Sequence, residues 1–163
     1  MIFRHFQDSD FEQVVKLLKC AFDIKIDECR EKLTRLLKSK QYFVYVVEDN
    51  NVILSSCVVY IHCDPFDKNF ATLWYFATSE KYRKKGVGSK LLEFVACDLR
   101  SFNLESIRLT TSLNNFACQR ASEKAGYKKK YCYEYLYWFN LYILIKSELS
   151  PLTVRFVCVI IES

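Results

Sequence analysis

Apolar residues recur at helical spacing near the start of the chain: Phe11, Val14, Val15, Leu17, Leu18 and Phe22 share one face, behind an Asp8-Ser9-Asp10 run that offers N-cap oxygens. The spacing predicts a helix over about 9–21. Before it, Ile2, Phe3, Arg4, His5 and Phe6 alternate as a short strand would. A second helix is predicted from Asp27 to Lys38, with Ile26, Cys29, Leu33, Leu36 and Leu37 facing inward. Tyr42 to Val47 is rich in aromatic and β-branched residues and reads as a strand. Glu48-Asp49-Asn50-Asn51 is a turn signal, and Val52 to His62 is the returning strand of a hairpin. Asp64 to Asn69, with Pro65, reads as a polar loop. Phe70 to Thr78 is apolar almost throughout, which predicts a central strand covered on both faces.

The periodicity then returns to helical. Val87, Leu91, Leu92, Phe94, Val95 and Leu99 stripe a helix from Val87 to about Phe102, closed by Asn103. Ser106 to Thr111 alternates as a strand. Asn115 to Ala125 is a helix with Gly126 where a C-terminal cap belongs. Tyr127 to about Phe139 is a strand of alternating aromatics. The order β-α-α-β-β-β-α-β-α-β predicts an α/β fold with a mixed sheet. Two apolar runs follow, Tyr135 to Ile145 and Leu152 to Ile161, separated by Lys146, Glu148 and Pro151. Neither reaches the roughly 20 apolar residues that span a bilayer, so strand is the reading for both, with a membrane-surface role as the alternative. Left unpaired, the second run would be an edge for aggregation or for a homodimer. No linker, repeat or low-complexity segment divides the chain, which reads as one domain over 1–163.

Composition narrows the class. At 163 residues, 51% hydrophobic and 26% charged, the chain suits one soluble domain with a sizeable core. A net charge of +5 favours an anionic ligand or partner, but the basic residues are scattered apart from 81–85 and 128–130, so nucleic-acid binding is not the expectation. Lys128-Lys129-Lys130 reads as a solvated strand start. None of the eight cysteines forms a C-x-x-C pair, and no histidine lies at zinc-ligand spacing, so no metal site is expected. The opening Met-Ile-Phe-Arg-His-Phe-Gln-Asp does not read as a signal peptide, and free, mostly buried thiols in a reducing cytoplasm are expected.

The candidate chemistry lies between the central strand and the helix after it. Arg83, Lys84 and Lys85 precede Gly86, Val87 and Gly88 at a helix start, where backbone N–H groups lack intrahelical partners and the dipole is positive. Glycines there would let a ligand approach the main chain. These features together read as a diphosphate site. The spacing is neither the dinucleotide fingerprint nor a P-loop.

Tyr82-Arg83-Lys84-Lys85-Gly86-Val87-Gly88 resembles the acetyl-CoA pyrophosphate loop of the GNAT superfamily of N-acetyltransferases. A second stretch, Glu105 to Tyr127, is similar to the family's other signature: a strand, then Asn115, then a helix ending Glu123-Lys124-Ala125-Gly126-Tyr127. The resemblance covers about 1–138. It implies the GNAT fold, a single mixed sheet of six to seven strands flanked by about four helices. It implies that strands 70–78 and 106–111 diverge into a V-shaped gap that holds pantetheine. Phe76, Ala77 and Thr78 would pair with pantetheine, and a backbone N–H there, Thr78 foremost, would stabilise the oxyanion. Arg83, Lys84, Lys85, Gly86, Val87, Gly88 and Ser89 would hold the diphosphate, and Asn115 would lie at the cofactor. The implied reaction is direct transfer of acetyl from acetyl-CoA to a primary amine of a small molecule or protein.

Two positions depart from the family pattern. Ser122 stands where many members carry the tyrosine that protonates the CoA sulfur; it is either a weak hydrogen-bond donor to sulfur or a packed helix residue. Thr72 stands where some protein-directed members have a catalytic glutamate, and a hydroxyl is no base near pH 7. Asp64, Asp67, Glu134, Tyr127, Tyr131 and Tyr133 are substitutes only in principle, and a water chain serves equally. Cys118 reads as a small core residue. His5 and His62 have no sequence neighbour that assigns them a role. The acceptor is expected between the first two helices, the 62–69 loop and the C-terminal strands, with Asp23, Asp27 and Glu28 either attracting an amine or simply solvated. These gaps motivate a second reading, an acyl-CoA-binding regulatory module with little turnover. A third, acting on an amine linked to nucleic acid, rests on charge alone.

Overall fold

The computed structural model describes residues 1–63, 69–112, 114–131 and 156–162. Strand β1 (Ile2–His5) is followed by a 3-10 turn at Asp8–Asp10 and helix α1 (Phe11–Phe22). Helix α2 (Ile26–Leu37) leads to β2 (Tyr42–Asp49), β3 (Val52–His62) and β4 (Phe70–Thr78). Helix α3 (Val87–Leu99), β5 (Ser106–Ser112), α4 (Phe116–Lys124), β6 (Lys128–Tyr131) and β7 (Phe156–Glu162) complete the order. Among the described residues the strands form one mixed sheet in the order β1-β2-β3-β4-β5-β7-β6. The expected α/β class, mixed sheet and helices are therefore present.

Local chemistry explains most of these elements. Asp10 is buried; its Oδ2 accepts from the Gln7 N–H at 2.8 Å and from Arg4 at 2.7 Å, which fixes the entry to α1. Asn50 and Asn51 both take positive φ, 49° and 62°, which a two-residue hairpin loop demands and asparagine tolerates. Asn103 closes the α3 segment in the left-handed region, and Gly126, at φ 87°, follows α4.

Two apolar layers sandwich the sheet. One lies under α3 and α4 and includes Tyr45, Leu54, Val59, Ala71, Leu73, Leu91, Leu92 and Leu99. The other lies under α1 and α2 and includes Val14, Val15, Leu33, Val44, Val46, Val58 and Ala77. Each fully buried aliphatic side chain contributes about 1.5–3 kcal/mol. Several expectations need correction. Leu37 is exposed rather than inward. Of the six cysteines described, Cys20, Cys63 and Cys97 are exposed, so the thiols are not mostly buried. The run at 152–161 includes no free edge in its described part: β7 pairs with β5 on one side and β6 on the other, which removes it as a dimerisation edge. The predicted strand over 135–145, and the continuation of the strand past Tyr131 to 139, lie outside the described residues. No helix among the described residues is long and apolar enough to cross a membrane.

Candidate active site

Strand β4 organises the site. It pairs antiparallel with β3 along its length, but Ser56 faces Ala77 and Val58 faces Trp74. One β3 residue, Cys57, thus opposes two β4 residues, Tyr75 and Phe76. The extra residue is a bulge, and Tyr75 carries it with φ 49°, a left-handed value that costs a bulky residue energy. The bulge has two consequences. It inverts the facing of the strand, so Ala71 and Leu73 join the layer under α3 while Ala77 joins the layer under α1 and α2. It also coincides with the loss of pairing to β5. The parallel β4–β5 ladder runs from Phe70–Ser106 to Leu73–Leu109 and stops, while Thr110–Ser112 continue in the ladder with β7. From Trp74 to Thr78, one edge of β4 faces a gap between parted strands.

The gap leads to the start of α3. Thr78 ends β4, a 3-10 turn spans Glu80–Tyr82, and Gly86 caps the helix at φ 80°. The first N–H groups of α3, as at any helix start, have no intrahelical partner, and among the described residues no side chain caps them. The Ser89 hydroxyl donates back to the Gly86 carbonyl at 3.0 Å, which steadies the turn without consuming those donors. The Arg83 Nε donates to the Thr78 carbonyl at 3.0 Å and ties the loop to the strand end. Lys84, at φ 61°, and Lys85 are exposed, and the Lys85 ammonium lies 5.4 Å from the Tyr82 ring centroid. The structure thus brings Phe76, Ala77, Thr78 and Arg83 to Ser89 together at one end of the gap.

The two glycines differ in role. A Cβ on Gly86 would meet little, so the residue serves backbone conformation and openness. A Cβ on Gly88 would sit 2.9 Å from Phe76 Cζ and 3.1 Å from Thr78 Oγ1. Gly88 therefore lets α3 press against the end of β4; its missing side chain is filled by protein, which corrects the expectation that it admits a ligand.

The far side of the gap is less provided than expected. Asn115 is exposed, and both ends of its amide are engaged: Oδ1 accepts from the Cys118 N–H at 3.2 Å, and Nδ2 donates to Thr111 Oγ1 at 3.0 Å. Asn115 is the N-cap of α4. Ser122 has no exposed surface, and its hydroxyl donates to the Cys118 carbonyl at 3.0 Å. That geometry makes Ser122 a packing residue and corrects its candidacy as proton donor to sulfur. Burial pushes the Cys118 thiol up, against opposing hydrogen bonds from Thr111 and Ser122, which favours the less reactive protonated thiol.

On the sheet face that carries α1 and α2, aromatic rings line the approach to β4. Tyr42 and Tyr60 lie 4.6 Å apart between centroids, Tyr60 and Trp74 6.1 Å, and Trp74 is exposed. Phe22 meets Tyr75 edge-on at 5.7 Å. Trp74 corrects the expectation that β4 is covered on both faces. Asp27 pairs with Arg30 and Glu28 with Lys32, so these two carboxylates already have partners. Asp64 and Asp67 lie outside the described residues, as do Tyr133 and Glu134.

One pairing was not legible in the sequence. His62, at the end of β3, places Nε2 2.9 Å from Thr72 Oγ1 on β4. Ten positions separate them, and only the antiparallel register brings them together.

The family model described as the acetyltransferase (GNAT) family matches residues 11–127. Among curated proteins, none matches this chain. Solved structures share the fold at low identity. An aminoglycoside antibiotic 6'-N-acetyltransferase from Acinetobacter haemolyticus has a TM-score of 0.71 at 12% identity, over 88% of this chain and 99% of its own. Glucosamine-6-phosphate N-acetyltransferase from Arabidopsis thaliana has a TM-score of 0.65 at 16% identity, over 85% and 98%. A chain of the NatC complex, solved with Gag peptide and CoA, has a TM-score of 0.68 at 16% identity, over 99% and 98%. With the parted strands, the uncapped helix start and a match across most of its length, this chain belongs to the GNAT acetyltransferase family.

Proposed function

We propose that the protein transfers an acetyl group from acetyl-CoA to a primary amine on a small molecule or a protein. The observation that carries this reading is the parting of β4 from β5 after Leu73 and Leu109, beside a helix start whose N–H groups no side chain caps. Pantetheine, an amide chain, suits the free edge of Trp74 to Thr78. The diphosphate suits the turn from Arg83 to Ser89, with Lys84 and Lys85 as exposed counter-charges. The aminoglycoside and glucosamine-6-phosphate N-acetyltransferases that share the fold, and the NatC complex solved with CoA, agree with this choice.

In this reading the thioester carbonyl points at a backbone N–H near Phe76 to Thr78, which stabilises the oxyanion as the amine attacks. A C–N bond forms and the C–S bond breaks. The amine loses a proton, and the thiolate leaves to be protonated by water, since Ser122 spends its hydroxyl on Cys118. The aromatic face bearing Tyr60 and Trp74 is the side from which the acceptor enters.

Calorimetric titration of acetyl-CoA into the wild type and into a Lys84→Glu, Lys85→Glu variant tests the site. Both residues are exposed, so the variant folds. Micromolar binding is expected in the wild type, with a loss of tenfold or more in the variant. A panel of phenethylamine, spermidine, glucosamine and a lysine peptide then tests transfer. A folded wild type that does not bind acetyl-CoA overturns the proposal; one that binds it but acetylates no amine favours the regulatory module.

A further inference from the structure

His62 Nε2 and Thr72 Oγ1 lie 2.9 Å apart, and we propose that the hydroxyl donates to the ring and that this pair is the proton acceptor for the attacking amine. As the amine nitrogen bonds the acetyl carbon and the C–S bond breaks, the amine proton passes through water to the Thr72 oxygen while the Thr72 proton moves to Nε2, leaving a neutral amide, the CoA thiolate, an intact hydroxyl and an imidazolium. The proposal rests on the acetyl-transfer reading above.

Placement carries the argument. Thr72 lies two residues before Trp74, on the same side of β4 and before the bulge inverts the facing. At about 3.3 Å per residue the hydroxyl is roughly 7 Å along the strand from the first unpaired position, Trp74, and roughly 13 Å from Phe76, the nearest residue assigned to the thioester carbonyl, a span that the acceptor amine and a short chain of waters bridge. The pair also lies beside the aromatic face assigned to the acceptor. Tyr60 meets the His62 ring edge-on at 4.4 Å, and Phe70 stacks on it at 4.0 Å with only 14° between planes. Held on two sides, the ring keeps one nitrogen on Thr72.

Its electrostatic setting suits a base that must be neutral at rest. The groups facing it are Tyr60 on its own strand, Phe70 and Thr72 on β4, and Arg108 on β5, whose guanidinium lies 4.0 Å over the Phe70 ring. Among the described residues no carboxylate pairs with His62. Burial first, and Arg108 second, hold its pKa below the ordinary imidazole value. An imidazolium formed here is poorly tolerated and surrenders its proton, which resets the pair. The chain's other histidine has the opposite setting: His5 Nε2 lies 3.2 Å from Asp98, away from the gap. A hydroxyl at position 72 is a poor base alone, but joined to an imidazole it relays a proton to the ring nitrogen.

Two histidines in the sequence make the test direct. Nitrogen-15 correlation spectra of the ring nitrogens, assigned with a His5→Gln variant, should show Nε2 of His62 unprotonated at pH 7.5 and its midpoint below about 6.5. A protonated Nε2 in the neutral ring, donating to Thr72, overturns the relay without any acceptor being known. With the fastest amine of the panel, His62→Gln should lower kcat by about 10²–10³-fold and abolish the acidic limb of the pH profile. Thr72→Val should behave alike, and Thr72→Ser should stay within about threefold. Acetyl-CoA affinity should be unchanged in all three. A His62→Gln enzyme that keeps its rate and its limb overturns this proposal alone; a wild type that binds acetyl-CoA but acetylates nothing removes the transfer reading and this proposal with it.

Discussion

Asn115 and Ser122 show how a motif can be legible while its roles are not. Both stand at positions where the sequence matches a family signature, and local pattern found them without difficulty. What each side chain does depends on hydrogen bonds that no spacing reveals: Asn115 caps α4 and Ser122 bonds the carbonyl one turn back. Asn115→Ala should therefore cost about 1 kcal/mol of stability. That corresponds to a melting-temperature drop of roughly 2–4 °C in a chain of this size. Acetyl-CoA affinity should stay within about twofold on calorimetry, because neither end of the amide is free for a ligand. Ser122→Ala should leave kcat within about twofold, where loss of a proton donor would cost about 10²-fold or more. The His62–Thr72 contact is the opposite case, invisible in the sequence because it depends on which residues the β3–β4 register sets side by side.

At the level of elements, the helices and strands up to Tyr127 were readable because each follows one period or, as in β4, forms a continuous apolar run between polar segments. The bulge at Tyr75 was not. An apolar run shows no alternation from which a change of facing could be read, and tyrosine is not a residue that announces a left-handed φ. Nor does a glycine declare what it accommodates. Gly88 and Gly86 look alike in the basic turn, yet one is a packing contact and the other a cap. Gly88→Ala should destabilise the fold by about 1–3 kcal/mol through overpacking against Phe76, measured by urea unfolding. Phe76→Leu, which removes the ring atom nearest that Cβ, should recover part of the loss, so a double-mutant cycle would show coupling. Additive costs would mean that the helix start and β4 are not in register contact.

For the whole molecule, the last strand and the first are the informative ends. The run at 152–161 was readable as strand but not as an interior one, because pairing partners are not encoded in propensity; β7 enters between β5 and β6 and extends the sheet past the gap. At the other end, Arg4 on β1 binds Asp10 and Glu48 at once, at 2.7 and 2.8 Å, joining β1, the turn into α1 and β2. Burial would raise the Asp10 carboxyl, but the Arg4 guanidinium and the Gln7 N–H outweigh it and hold its pKa below the ordinary carboxylate value. A depressed native pKa means that the unfolded chain binds more protons as pH falls. Stability from this group is therefore complete above about pH 5, diminishes as pH falls through the ordinary carboxylate range, and is lost below the native value. His62, lowered in the native state, adds a slope of the same sign at pH just below the ordinary imidazole value. Asp10→Asn should remove much of the carboxylate limb and cost about 3 kcal/mol at pH 7, since Arg4 keeps Glu48 but loses a buried partner. Urea midpoints at pH 7, 5, 4 and 3 measure both effects. If the variant and the wild type lose stability in parallel on acidification, the acid sensitivity belongs to other carboxylates, and Arg4 serves as an ordinary surface contact.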